Sequence, residues 1–261
     1  MTKLYPTVRV SILAILFSLA FTNAGKAQQF LTQIDGWNAY VHLPSDYNDS
    51  ITKRYPLICF VGGLGEIGTD PNKMLIYGPS KYVAEGNRME FMVNGKLEKP
   101  IVISIQPAAA WPNAWLMNKK MDSIMARYRC DAQRSNVTGL SMGGWAWANM
   151  VDNYNAVYTN KITSMVVMSA LQPDNGIGNM KHYSLAGGTM WAFEGNNDLK
   201  WAFEGNNDLR GYDKVRDTMN TAVNASARYT MYIGGHCCWN NFYNPTYMEN
   251  GENIYTWMLK Q

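Results

Sequence analysis

The chain reads as an α/β protein built on a mostly parallel sheet. Short apolar or β-branched runs recur along it, segments of helical periodicity separate them, and no Pro-rich or charged linker divides the whole. With 261 residues, 47% hydrophobic and 16% charged, it has ample material for a large core and lacks the composition of a disordered chain. The formal charge of +3, from 23 Lys and Arg against 20 Asp and Glu, is too small to argue for a nucleic-acid partner.

The first element is an export signal. Lys3 and Arg9 precede the apolar run Val10 to Phe21, and the polar stretch TNAGKAQQ follows. That run is too short for a hydrocarbon core, which needs about 20 residues. A basic start, a short apolar stretch and small residues at Gly25 and Ala27 describe a cleavable secretory peptide over 1–27, with cleavage after Ala24 as the alternative. Residues 28–261 then form one domain, secreted or periplasmic, with no stable membrane insertion. All of the surplus charge lies in the leader, as Lys3, Arg9 and Lys26, so the remainder is neutral.

Ala39 to Leu43 and Leu57 to Val61 are the first strands, the second running into the glycine-rich turn VGGLGEIGTD. Ile101 to Ile105, bounded by Pro100 and Pro107, is a fully buried strand. Met117, Met121, Ile124, Met125 and Tyr128 recur at helical spacing and predict an amphipathic helix. Ser135 to Leu140 leads into an apolar helix over Trp145 to Val151, and Thr163 to Met168 is the next strand. A WAF strand, a helix near Asp213 to Val223, the strand Tyr229 to Ile233 and a last helix over Asn253 to Lys260 complete the order.

WAFEGNNDLK (191–200) is followed at once by WAFEGNNDLR (201–210). Two copies are too few for a solenoid, and the pair reads as a duplication tolerated in a surface loop. Of four cysteines, Cys59 reads as a buried free thiol. Adjacent Cys237 and Cys238 point apart if extended, so a bond between them is expected to be strained. No Cys/His grouping has zinc spacing, so no metal is expected. Three glycosylation sequons occur, at Asn48, Asn136 and Asn224, and Asn136 falls in an expected buried strand.

The chemistry is carried by Gly139-Leu140-Ser141-Met142-Gly143 between a strand and a helix. In a G-x-S-x-G turn the Ser occupies a sharp bend that small neighbours permit, which lifts its hydroxyl clear of the sheet. A serine nucleophile needs a base, and the chain has three histidines. His42 lies inside an early strand and His182 in a polar loop, whereas His236 follows a strand and two glycines near the C-terminus, where such a base belongs. The acid comes after the preceding strand, and each repeat copy offers one. Asp208, which leads into the next helix, is preferred; Asp198 is the alternative.

FVGGLGEIGTD, IVISIQP, RYRCDAQRSNVTGLSMGGWAW, WAFEGNND and GGHCCW together resemble the secreted α/β-hydrolase esterases. Those include dienelactone-hydrolase-like, feruloyl or acetyl-xylan esterase and polyhydroxybutyrate-depolymerase-like groups, also labelled predicted phospholipase/carboxylesterase or peptidase. The most specific stretch is Asp131 to Gly144, matching D-x-x-R-x-x-x-x-G-x-S-M-G-G. The resemblance implies an α/β-hydrolase fold, a mostly parallel central sheet flanked by helices. It makes Ser141 the nucleophile, His236 the base and Asp208 or Asp198 the acid, with the amides of Leu64 and Met142 as oxyanion donors. The family commonly has His-Gly before the first donor, where this chain has Gly62-Gly63.

The expected activity is two-step hydrolysis of a carboxylic ester without metal or organic cofactor, on an acylated carbohydrate or a small soluble ester. A serine peptidase on the same fold and a non-catalytic carbohydrate-binding relative are the alternatives. Trp111, Trp115 and Trp239 either stack on a sugar or aromatic acyl group or fill and edge the core. The short stretch from Ser169 to the WAF strand leaves no room for a large lid.

Overall fold

A computed structural model describes residues 28–153, 161–173, 177–198 and 211–261. The leader (1–27) and the second repeat copy with Asp208 therefore lie outside the described residues. Ten strands occur among them: β1 (Gln28–Ile34), β2 (Trp37–Leu43), β3 (Tyr55–Val61), β4 (Phe91–Val93), β5 (Lys96–Glu98), β6 (Ile101–Ile105), β7 (Cys130–Leu140), β8 (Ser164–Met168), β9 (Thr189–Gly195) and β10 (Ala227–Tyr232). The helices are α1 (Pro79–Ala84), α2 (Ala114–Arg127), α3 (Met142–Asp152), α4 (Met180–Leu185), α5 (Tyr212–Ala222), α6 (Trp239–Tyr243) and α7 (Ile254–Leu259).

Eight strands form the main sheet in the order β1-β2-β6-β3-β7-β8-β9-β10. From β6 to β10 every neighbouring pair is parallel, and only β1 and β2 join antiparallel. Alternation along the strands splits the core in two. Leu57, Cys59 and Val61 face one layer with Met117, Trp147, Tyr183 and Tyr212 from α2 to α5. Ile58 and Phe60 face the other, with Tyr82, Tyr243, Tyr255 and Trp257 from α1, α6 and α7. Parallel strands covered on both faces have no polar side to show, which is why β3, β6 and β8 are buried at every position.

The expected strand Ile101 to Ile105 is reproduced at both ends, and the other elements extend or shift by a few residues. β1 and the β4–β5 hairpin were not expected. β1 is an edge strand with polar Gln29, Thr32 and Gln33 along it, so its sequence carries little hydrophobic signal. A buried lysine pins its turn: Lys120 of α2 donates to the carbonyls of Ile34 (3.0 Å) and Asp35 (2.7 Å). His182 belongs to α4 rather than to a loop, where it is exposed. His42 is buried in β2, its Nε2 3.0 Å from the Arg88 carbonyl, in agreement with a structural role. Asn136 is fully buried, and its side-chain nitrogen donates to the Leu57 carbonyl at 3.1 Å, so its sequon is chance.

Cys59 and Cys130 are buried free thiols. Cys237 and Cys238, by contrast, are bonded to each other. The expectation of a divergent pair assumed an extended backbone, but Cys238 has φ of 71°, a left-handed conformation that turns its side chain back towards its neighbour. No helix among the described residues is long and apolar enough to cross a membrane. Within the connection from β8 to β9, α4 packs back against α5, where Ser184 donates to the Met219 carbonyl at 3.1 Å, and the described residues build no large lid.

β9 carries a buried carboxyl near its C-terminal end. Glu194 accepts from the Tyr229 hydroxyl at 2.9 Å, and burial pushes its pKa from 4.5 up to about 7, helped by Asp213 and Asp198 nearby. Below the ordinary value both folded and unfolded chains hold this proton. Between about 4.5 and 7 the unfolded chain releases it while the folded chain keeps it, so the group's contribution to stability falls as pH rises through that window. Urea unfolding of Glu194→Gln against wild type across pH 4 to 8 tests this. The variant is expected to gain on wild type with rising pH by roughly 3 kcal/mol in total, and parallel profiles would overturn the assignment.

Candidate active site

The nucleophile position follows from one bend. β7 ends at Leu140, α3 starts at Met142, and Ser141 between them has φ of 51° and ψ of −124°. For a residue with a Cβ this is a strained conformation, held by its surroundings. The Ser141 amide donates to the Met168 carbonyl at 2.7 Å, and its carbonyl accepts from Trp145 N–H at 3.1 Å. At Gly143 a Cβ would collide with the Val61 carbonyl oxygen, because α3 crosses directly over the end of β3. The second glycine of the motif is there for that approach.

His236 lies in the turn after β10, with Nε2 2.9 Å from Ser141 Oγ and Nδ1 3.0 Å from Asp198 Oδ2. A carboxylate can only accept, so Nδ1 carries the proton and Nε2 is left to accept from the serine hydroxyl. The partner is thus Asp198, the alternative acid; the preferred Asp208 lies outside the described residues. The reason is register. The first copy supplies β9, Thr189–Gly195, paired with β8 and β10, so its own EGNND segment makes the turn at the strand's end. That turn interlocks with the base loop: Asn196 N–H donates to the Tyr232 carbonyl (2.9 Å), Asn197 N–H to the Gly234 carbonyl (2.8 Å), and the Asn196 side-chain oxygen accepts from Gly234 N–H (3.1 Å). A Cβ on Gly195 would stand 2.5 Å from the carbonyl oxygens of Gly234 and Gly235, so only glycine allows the contact.

The expected oxyanion donors both lie at helix starts next to the serine, Met142 in sequence and Leu64 through its neighbour Gly63. Met142 is the first residue of α3, and Leu64 the first of a short 3₁₀ turn, Leu64–Glu66; amides at such positions have no partner within their own helix. The Gly63 Cβ position is 3.2 Å from Ser141 Cβ, which brings this loop against the nucleophile. Sequence reasoning missed what holds the loop. Buried Glu66 accepts from Gly63 N–H at 2.6 Å, and burial raises its pKa. Gln106 donates to the carbonyls of Glu66 (2.8 Å) and Asp70 (2.7 Å). The available signal was an acid placed inside a glycine-rich loop.

Of the three tryptophans, Trp111 and Trp115 do not fill the core. Trp111 is 42% exposed, stands edge-on to Trp145 at 5.1 Å, and donates its amide to Met142 Sδ at 3.2 Å, beside the nucleophile. Trp115 is 61% exposed on the first turn of α2. Trp239 is half-buried against the His236 ring, with centroids 5.1 Å apart. Among the described residues no group of three His, Cys, Asp or Glu could hold a metal ion. Asp131 and Arg134 of the longer motif form an ion pair at 2.9 Å away from the serine, and Arg134 also reaches Glu98 at 3.1 Å.

This architecture recurs in solved structures. A ferulic acid esterase aligns with a TM-score of 0.57 at 13% identity, over 90% of this chain and 96% of its own. An esterase from the Planctomycetes species Thermogutta terrifontis gives 0.50 at 12% identity, over 91% and 90%. A puromycin-hydrolysing peptidase of Mycobacterium tuberculosis gives 0.52 at 12%, over 88% of this chain and 42% of its own. No family model matches the chain, and no curated protein matches it. At such identities the likeness is one of fold: the chain has the α/β-hydrolase fold.

Proposed function

We propose that the protein is an exported serine hydrolase that cleaves carboxylic esters through an acyl-enzyme on Ser141. The observation that carries this reading is the unbroken hydrogen-bonded line from Ser141 Oγ through His236 to Asp198. As Oγ attacks the ester carbonyl carbon, His236 Nε2 takes the hydroxyl proton and the carbonyl electron pair moves onto its oxygen. The Leu64 and Met142 amides stabilise that oxyanion, and loss of one such donor costs about 10²–10³ in rate. The imidazolium, steadied by Asp198, gives its proton to the departing alcohol oxygen. Water then attacks the acyl-enzyme with His236 again as base, releasing the acid and restoring Ser141.

The exposed face of Trp111 beside the nucleophile, with exposed Trp115 four residues on, favours a substrate with a flat sugar or aromatic face, presented as a small soluble ester or attached to a polymer. The absence of a large lid in the described part of the β8–β9 connection favours the same class over an interfacial lipid. Export is proposed from the leader composition, and the mature protein is expected to begin at Gln28 by N-terminal sequencing of the secreted product; retention of residues 1–27 would count against it.

Hydrolysis of p-nitrophenyl acetate should be lost in Ser141→Ala, with kcat/KM down by about 10³ or more. An inactive wild type on short-chain esters and methyl ferulate would sink the esterase reading, and turnover of peptide amides alone would replace it with a peptidase. Asp198→Asn should lower kcat by about 10⁴ through the wrong imidazole tautomer, while Asp208→Asn stays within about twofold of wild type. The reverse pattern would return the acid to the second repeat copy.

A further inference from the structure

Around His236 runs a chain of hydrogen bonds that acyl transfer does not itself use. Tyr232, the last residue of β10, turns its hydroxyl back over the loop that follows it. Its Oη is 2.9 Å from the Cys237 carbonyl oxygen and 3.1 Å from that of Gly235, the two residues flanking His236. The same Oη is 2.7 Å from Ser169 Oγ, and Ser169 Oγ is 3.2 Å from Trp239 Nε1. Trp239 in turn stands edge-on to the His236 ring, at an interplanar angle of 88°.

Counting protons fixes each direction. Carbonyl oxygens only accept, so the single Tyr232 hydroxyl proton goes to Cys237 and Gly235. The hydroxyl of Ser169 must then donate to Tyr232 Oη, and its lone pairs accept the indole N–H of Trp239, which has no other role than donor. The result is a one-way relay, from Trp239 through Ser169 and Tyr232 to the backbone on both sides of His236. Burial raises the Tyr232 pKa, so the phenol keeps the proton that the relay needs.

Ser169 carries a second mark of purpose. It follows β8 directly, is 6% exposed, and has φ of 49°, the left-handed region that a residue with a Cβ rarely adopts. Its amide donates to the Phe193 carbonyl at 2.7 Å, which ties this conformation to β9, the strand leading to Asp198. The strained backbone points Oγ away from the strand, to where Tyr232 and Trp239 meet.

We propose that Tyr232 and Ser169 are positioning residues that clamp the loop bearing His236, holding its imidazole in line between Ser141 and Asp198. This rests on the reading of His236 as the base. Gly234 and Gly235 precede the histidine, and glycines supply freedom rather than rigidity, while the bond between Cys237 and Cys238 joins only neighbours within the loop. The interlock with Asn196 and Asn197 secures it on the acid side, and the relay secures it on the other. A displacement of the order of 1 Å at a reacting group can cost about 10² in rate, so a backbone anchor at this point acts on catalysis without touching substrate.

Tyr232→Phe, Ser169→Ala and the double variant test the clamp, with kcat, KM, Tm and the downfield proton resonance of His236 Nδ1–H as readouts. Each single variant should lower kcat between about 10- and 100-fold with KM within about twofold, and broaden or abolish the resonance. The double variant should lose no more than the worse single one, because the groups act as one unit. Trp239→Phe, which keeps the ring and deletes the donor, should give a smaller loss in kcat and covers the case in which Tyr232→Phe folds poorly. An intact resonance with kcat near wild type would overturn the proposal, as would a kcat loss that merely follows Tm. If wild type turns over no ester, the proposed function fails, and the resonance in the variants still decides the clamp.

Discussion

The site depends on where the parallel strands stop. β3, β7, β8, β9 and β10 all run the same way, so the residues after them gather at one edge of the sheet. The loop with the proposed oxyanion donor Leu64 follows β3, Ser141 follows β7, Ser169 follows β8, Asp198 follows β9 and His236 follows β10. A single geometric rule thus collects groups spread over most of the chain. At Ser141, α3 must leave β7 while clearing the end of β3, and this requires glycine at 143 and a strained φ at 141.

Rigidity at the edge comes from loop-to-loop hydrogen bonds rather than from loop composition. The turn after β9 is rich in glycine and asparagine, and the turn after β10 carries two consecutive glycines. Together they exchange backbone bonds through Asn196, Asn197 and Gly234, with Gly195 permitting the approach. The loop after β3 is treated alike: Glu66 accepts from the Gly63 amide, and Gln106 donates to the carbonyls of Glu66 and Asp70. Glycines give these turns their shapes, and buried polar side chains make those shapes permanent.

Legibility followed the strength of local signals. Ile101 to Ile105 was read to the residue because a strand buried on both faces is a continuous apolar run bounded by prolines. β1 was missed because an edge strand, half solvated, needs no such run. Ser141 was legible since its bend leaves a fixed glycine spacing, and His236 since so few histidines competed. The supports at Glu66, Ser169 and Tyr232 were not, because each acts across the fold on residues far away in sequence, and nothing beside it in the chain announces the contact.

The sequence by itself determined the α/β alternation, the strained bend at Ser141 and the choice of His236 as candidate base, all of which rest on short-range pattern. It could not choose between two identical EGNND segments. Only the tertiary structure separated them: pairing of the first copy with β8 and β10 sets one register, and that register places Asp198 at the strand end, 3.0 Å from His236. The same holds for Cys237 and Cys238, whose bonding depends on a left-handed backbone at Cys238 that spacing does not encode. Local sequence selects the groups, and strand register decides which of them meet, because a catalytic contact is made between chain ends of different strands.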